Sequence, residues 1–214
     1  MKKFGFAVAA LCVAAGAAQA ITLTAHSIET GALVYSSNSA VQYGPRADTV
    51  VYSHIPGPYS AFAAANYLGF DDYTTTVSGP TASLNSMRFV GGVTTANTTL
   101  SFNFYDITGA TLVNSFTSTF GTAGNFIWTI SNLGGFNVNS VGILEIVGTQ
   151  TSTTGRWFLS AAATTVGSDD RFGITDVAGG NTGGLQHSFE LSIPAPGSLA
   201  LLGLGGIVAG RRRR

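Results

Sequence analysis

Residues 100–105 alternate without a break: Leu100, Phe102 and Phe104 are apolar, and Ser101, Asn103 and Tyr105 between them carry polar groups. A period of two puts the apolar three on one face of an extended strand, a pattern that a helix of 3.6 residues per turn cannot use. Asp106-Ile-Thr-Gly109 supplies a turn, and residues 112–120 return as the second arm of a hairpin. Phe126, Trp128 and Ile130 share a face in the next segment. Val141, Ile143, Glu145 and Val147 oppose Leu144 and Ile146, which predicts a strand covered on both faces. Trp157 and Leu159 mark another strand, and Leu185, His187, Phe189, Leu191 and Ile193 form a last alternation.

The first third is less regular. Strands are expected at 21–25, 32–36, 49–54, 73–77 and 83–90, with Pro56-Gly-Pro58 as a loop. Residues 60–67 read as one short helix capped by Ser60. The pairs Gly91-Gly92, Gly134-Gly135, Gly179-Gly180 and Gly183-Gly184 read as turns. No internal repeat is visible, which disfavours a solenoid or propeller. Short strands at regular spacing predict an all-β domain over residues 21–192, a β-sandwich or jelly roll.

Charge narrows the class further. Between residues 21 and 193 lie four arginines and all ten acidic residues, a net of −6. Such a body lacks the basic patch that phosphate recognition requires, so no nucleic acid is expected as a partner. Only 9% of the chain is charged, while 45% is apolar. The surface must therefore be dressed in Thr, Ser, Asn and Gly over a real core, which is not the composition of a disordered chain.

Both ends carry targeting signals. Met1-Lys-Lys precedes an apolar run over 4–18, and Ala18-Gln19-Ala20 is a small-x-small cleavage site that would start the mature chain at Ile21. Signal peptidase and the export translocon are the partners implied. Cys12, the one cysteine, would leave with this segment, so the fold must rest on core burial, with a metal as a further aid. At the other end, Pro194, Ala195 and Pro196 open an apolar run that is free of charge through Gly210, and Arg211, Arg212, Arg213 and Arg214 follow. The 17 residues from 194 to 210 are at the short end of what spans a bilayer as a single helix. The arginines would stay on the cytoplasmic side and halt export.

This tripartite tail, over 193–214, resembles the PEP-CTERM sorting signal of exported proteins in exopolysaccharide-producing Gram-negative bacteria. Ala195 stands where that motif usually has Glu. The resemblance implies sorting by an exosortase-like membrane protease: transient anchoring in the inner membrane, then release to the cell surface or the extracellular matrix. A plain membrane anchor is the alternative. Gly69-Phe-Asp-Asp-Tyr73, Arg88-Phe-Val-Gly-Gly92, Phe102-Asn-Phe-Tyr-Asp106 and Gly155-Arg-Trp-Phe158 also resemble bodies that accompany such tails. They imply a lectin- or carbohydrate-module-like sandwich, and a fold of that kind does not establish sugar binding.

Few residues suggest chemistry. Asp71-Asp72 and Asp169-Asp170, with Asp176, are hard oxygen ligands of the kind a structural Ca²⁺ needs, but they lack EF-hand spacing. Solvated turn acids are the preferred reading of these five. Glu145, in mid-strand, is either half of a glycosidase pair or, preferably, the partner of Arg88 or Arg156. His26, His54 and His187 show no zinc spacing, and no nucleophile motif is present. Tyr52, Tyr59, Tyr67 and Tyr73 are candidates for stacking on sugar rings, whereas Trp128 and Trp157 are expected in the core. The leading expectation is a non-enzymatic surface or matrix protein, structural or adhesive, among biofilm exopolysaccharide. A carbohydrate-binding module comes second, and a glycoside hydrolase or lyase third.

Overall fold

The computed structural model describes residues 21–36, 48–60, 64–65, 67–149, 154–169 and 185–195. The expected signal segment with Ala18 and Ala20, Asp170, Asp176, the Gly179-Gly180 and Gly183-Gly184 turns, Pro196, and Arg211 to Arg214 lie outside them. Ile21 is exposed and stands one residue before the first strand.

In chain order the strands are β1 (Thr22–His26), β2 (Leu33–Ser36), β3 (Thr49–Ser53), β4 (Tyr59–Ser60), β5 (Ala64–Ala65), β6 (Tyr67–Thr74), β7 (Thr81–Val93) and β8 (Thr98–Asp106). There follow β9 (Leu112–Phe120), β10 (Gly124–Asn139), β11 (Val141–Gly148), β12 (Thr154–Trp157), β13 (Leu159–Ser160), β14 (Gln186–His187) and β15 (Phe189–Ile193). All pairings are antiparallel. The large sheet runs β2-β1-β10-β7, and the far edge of β7 is shared. Residues 86–89 take β15 with β3 beyond it, and residues 91–93 take β12 with β5 beyond it. The second sheet runs β6-β11-β8-β9, and β14-β13-β4 forms a third, small sheet.

The two main sheets face each other through aromatic rings. Phe89 of the large sheet meets Phe102 edge-on at 5.5 Å, and Trp128 meets Phe120 edge-on at 4.7 Å. Leu100, Phe102, Phe104, Leu144 and Ile146 supply one wall, and Met87, Phe89, Trp128, Ile130 and Leu191 supply the other. Edge-to-face contacts of this kind add to the burial that holds a sandwich together. The expected β-sandwich is present, and Trp128 and Trp157 are in its core as predicted.

Four local expectations change. The helix expected at 60–67 is absent: its described residues end β4, form β5 and begin β6. An isolated segment that short is a poor helix, and pairing with β13 and β12 wins instead. Gly91-Gly92 lies inside β7 and is no turn. A side chain on Gly92 would sit 1.8 Å from the Gly124 carbonyl, and one on Gly91 would sit 2.2 Å from that of Arg156. The pair marks two neighbouring backbones in close approach. Gly134-Gly135 lies inside β10, where the register with β7 shifts between Ser131 and Phe136. Finally, β11 is covered on one face only, with Leu144 and Ile146 buried and Val141 41% exposed.

Candidate functional site

The outer face of the four-stranded sheet follows from its register. Asn103, Glu145 and Phe70 lie side by side across three strands, and Tyr105, Ile143 and Asp72 form the next row. Cross-strand partners share a face, so these side chains project away from the core. The Asn103 amide nitrogen donates to Glu145 Oε2 at 2.8 Å, and the Tyr105 hydroxyl donates to the same oxygen at 3.1 Å. Ser101 donates to Asn103 Oδ1 at 2.9 Å, which fixes the amide. Partial burial, and then the negative charge of Glu145, raise the Tyr105 phenol above its ordinary range. The result is a carboxylate held in place by two donors, with a phenol ring and Phe70 beside it.

Neither arginine expected as the partner of Glu145 pairs with it among the described residues, and Arg156 lies in β12 of the large sheet, opposite Gly92. Arg88 pairs with Glu190, Nη1 to Oε1 at 3.3 Å, and Ser53 donates to the other Glu190 oxygen at 3.0 Å. Asn103 and Tyr105 were legible as the polar side of the 100–105 alternation. Their convergence on Glu145 depends on pairing across 40 residues, which no local signal carries.

Asp71 and Asp72 are not solvated turn acids but strand residues of β6. Consecutive strand positions face opposite sides, and register places Asp71 with Leu144 on the inner face and Asp72 with Ile143 on the outer. Asp71 is fully buried. Its carboxyl accepts the backbone N–H of His187 and, at 2.9 Å, that of Asp72. With its amide turned to donate, Gln186 adds contacts of 2.7 and 3.1 Å to the two oxygens. Burial pushes the Asp71 carboxyl well above the usual range, the His187 N–H opposes this, and Asp72 and Asp169 reinforce it.

Asp169 fastens the segment after β13 to β3. It accepts hydrogen bonds from Tyr52 at 3.1 Å and Thr164 at 2.5 Å, and His54 Nδ1 lies 3.2 Å from Oδ2. His54 Nε2 faces the Ser160 carbonyl at 3.4 Å. Burial works against the Asp169 charge, but the hydrogen bonds from His54 and Thr164, with Tyr52, hold its carboxyl below the ordinary range. Among the described residues no group of three or more His, Cys, Asp or Glu side chains is arranged to hold a metal.

The tyrosine candidates divide. Tyr52 and Tyr73 are core rings, fully buried, and Tyr52 packs 4.6 Å from Phe189. Neither offers a face to a sugar, because each continues the inner face of its sheet. Tyr59 is half-buried and donates to the Ile55 carbonyl at 2.6 Å. The backbone of Tyr67 lies in β6, and its side chain is outside the described residues.

The route to the tail is short. β15 is held between β3 and β7, with Ser192 opposite both Val50 and Ser86 and Ile193 opposite Thr49. Pro194 and Ala195 follow at once and are half-buried. Among the described residues no helix is long and apolar enough to cross a membrane, and the apolar run lies outside them. The family model of the PEP-CTERM protein-sorting motif matches residues 192–214. No curated protein and no solved structure matches the chain. The chain therefore carries a PEP-CTERM protein-sorting motif, the mark of an exported protein handled by exosortase-type machinery, and that motif begins within the last strand of the sandwich.

Proposed function

We propose that this is a non-enzymatic protein of the cell surface or extracellular matrix, with a structural or adhesive role among exopolysaccharide. The motif match at residues 192–214 carries the reading, since it joins a sorting signal directly to a folded body. The body supports it with a sparsely charged outer surface rich in Ser and Thr, suited to a hydrated polysaccharide gel. Replacing Arg211 to Arg214 with Ser in a producing strain tests the delivery step. Loss of surface protein and a change in its mass are expected; unchanged location and mass contradict a sorting role.

A second reading has its own observation. The Glu145, Asn103 and Tyr105 cluster sets a fixed acceptor and an aromatic ring, both half-buried, on the outer sheet face, a combination suited to sugar hydroxyls and sugar ring faces. The fifteen strands among the described residues lie between Thr22 and Ile193, so residues 21–195 retain them all for a polysaccharide pull-down. Retention that drops about tenfold in Glu145→Ala supports a binding module, in line with the loss of one well-held polar contact. Absence of retention on every glycan leaves the structural role alone. A glycoside hydrolase needs two carboxyls converging in a cleft, and the groups converging on Glu145 are an amide and a phenol.

A further inference from the structure

Sheet edges are where β proteins meet other strands, and evolved proteins protect them by shortness, charge, bulges or cover. Among the described residues, the edges of this sandwich are protected with one exception. In the large sheet, β2 has four residues and a register break against β1, and β5 has two. The free side of β3 is covered: the Thr76 N–H donates to the Val51 carbonyl, and Ser53 bridges to Val166. In the four-stranded sheet, β6 carries Asp71 and Asp72, and its Thr74 exchanges both backbone hydrogen bonds with Ser168, at 2.7 and 3.0 Å.

β9 has none of these devices over most of its length. Its nine residues, Leu-Val-Asn-Ser-Phe-Thr-Ser-Thr-Phe, contain no charge, proline or glycine, and its one register break lies at the Leu112 end. The Thr149 N–H donates to the Thr99 carbonyl at 3.2 Å, so Thr99 directs its backbone toward β11. Antiparallel bonding alternates, and Thr119, opposite Thr99, therefore points its own N–H and C=O away from β8, as do Thr117 and Ser115. The Ser115 N–H is taken by the Asn114 side chain at 3.0 Å. Among the described residues, nothing else takes the outward N–H groups of Thr117 and Thr119 or the three outward carbonyls. Leu112 and Val113, two of the five exposed large apolar residues among those described, lie on this same strand.

The strand is complementary to itself. Paired antiparallel about Thr117, two copies set Thr117 against Thr117 and Ser115 against Thr119, so no like charges meet and hydroxyls face hydroxyls. The sheet already contains one such contact, Thr99 Oγ1 to Thr119 Oγ1 at 2.8 Å on the same outer face. On the inner face the half-buried Phe116 gains cover. We propose that β9 is a self-association edge, through which two copies of this chain join their four-stranded sheets into one continuous eight-stranded sheet. The contact is isologous, so it closes as a dimer.

The test uses the full chain in detergent with Cys12→Ser, which removes the one native cysteine and leaves any introduced thiol alone. Thr117→Cys puts a thiol at the two-fold axis, where the Cα separation of a hydrogen-bonded pair suits a disulfide. Mild oxidation should cross-link this variant into dimers, whereas Ser101→Cys, on the same face but one strand inward, should not. Thr117→Lys should sediment as monomer where the parent chain sediments as dimer, with an unchanged far-ultraviolet circular dichroism spectrum, because this side chain is exposed in the single chain. The proposal is overturned if Thr117→Cys cross-links no better than Ser101→Cys. It is also overturned if Thr117→Lys remains dimeric, or if the parent chain stays monomeric from micromolar to submillimolar concentration.

Discussion

Asp71 and Glu145 are carboxylic acids on adjacent strands of one sheet, a single register step apart, and they occupy opposite media. Asp71 faces the core beside Leu144, fully buried, and collects N–H donors from His187, Asp72 and Gln186. Glu145 faces outward beside Phe70 and is held by Asn103 and Tyr105. The pleat alone separates them, since strand neighbours alternate between faces. One acid is bound into the interior of the fold, and the other is held on its outer face. Asp71 ties the β14 backbone to β6, so its loss strikes the interior. Glu145 touches nothing that the core depends on.

The largest effect expected from this contrast is in Asp71→Ala. It leaves the His187 N–H and the Gln186 amide without their acceptor, and we expect a loss of about 2–4 kcal/mol, read by chemical denaturation. A change below about 0.5 kcal/mol, the range of an ordinary surface site, breaks the contrast.

Asp169→Asn comes next, and pH sharpens it. The Asp169 carboxyl is held below its ordinary range in the fold, so its contribution is present above the unfolded value, about pH 4. That contribution is lost as pH falls through the folded value. The stability gap between the parent chain and Asp169→Asn should therefore be full at pH 6 and shrink toward pH 3. Asp71 has the reverse sign. Its raised carboxyl contributes most below about pH 4, and that contribution declines as pH rises. A gap for Asp169→Asn that widens on acidification contradicts the assignment.

The smallest effect on stability is expected for Glu145→Gln, within about 0.5 kcal/mol of the parent. Its consequence should appear in polysaccharide retention instead. A Glu145→Gln protein that unfolds early would place this residue with Asp71 as part of the framework.

Much of the sandwich was legible because its strands alternate. The β8–β9 hairpin follows from Leu100, Phe102 and Phe104 with the turn at Asp106, and the β10 core face follows from Trp128 and Ile130. What could not be read depends on distant partners. Gly91 and Gly92 look like a turn until the backbones of Arg156 and Gly124 are seen pressed against them. Asp71 looks like a loop acid until Leu144 is placed beside it. The Leu185–Ile193 alternation divides at Ser188, whose N–H donates to the Phe158 carbonyl, so that β14 and β15 join different sheets. The sorting motif was legible at once, because its order of proline pair, apolar run and arginines is local and needs no fold.

Intact mass decides whether the sandwich is cargo of an exosortase-type system. The protein would be recovered from cells with and without the sorting protease. The account predicts surface protein lacking the arginine-ended segment in the first case and membrane-held protein retaining it in the second. The same mass and the same location in both would contradict it.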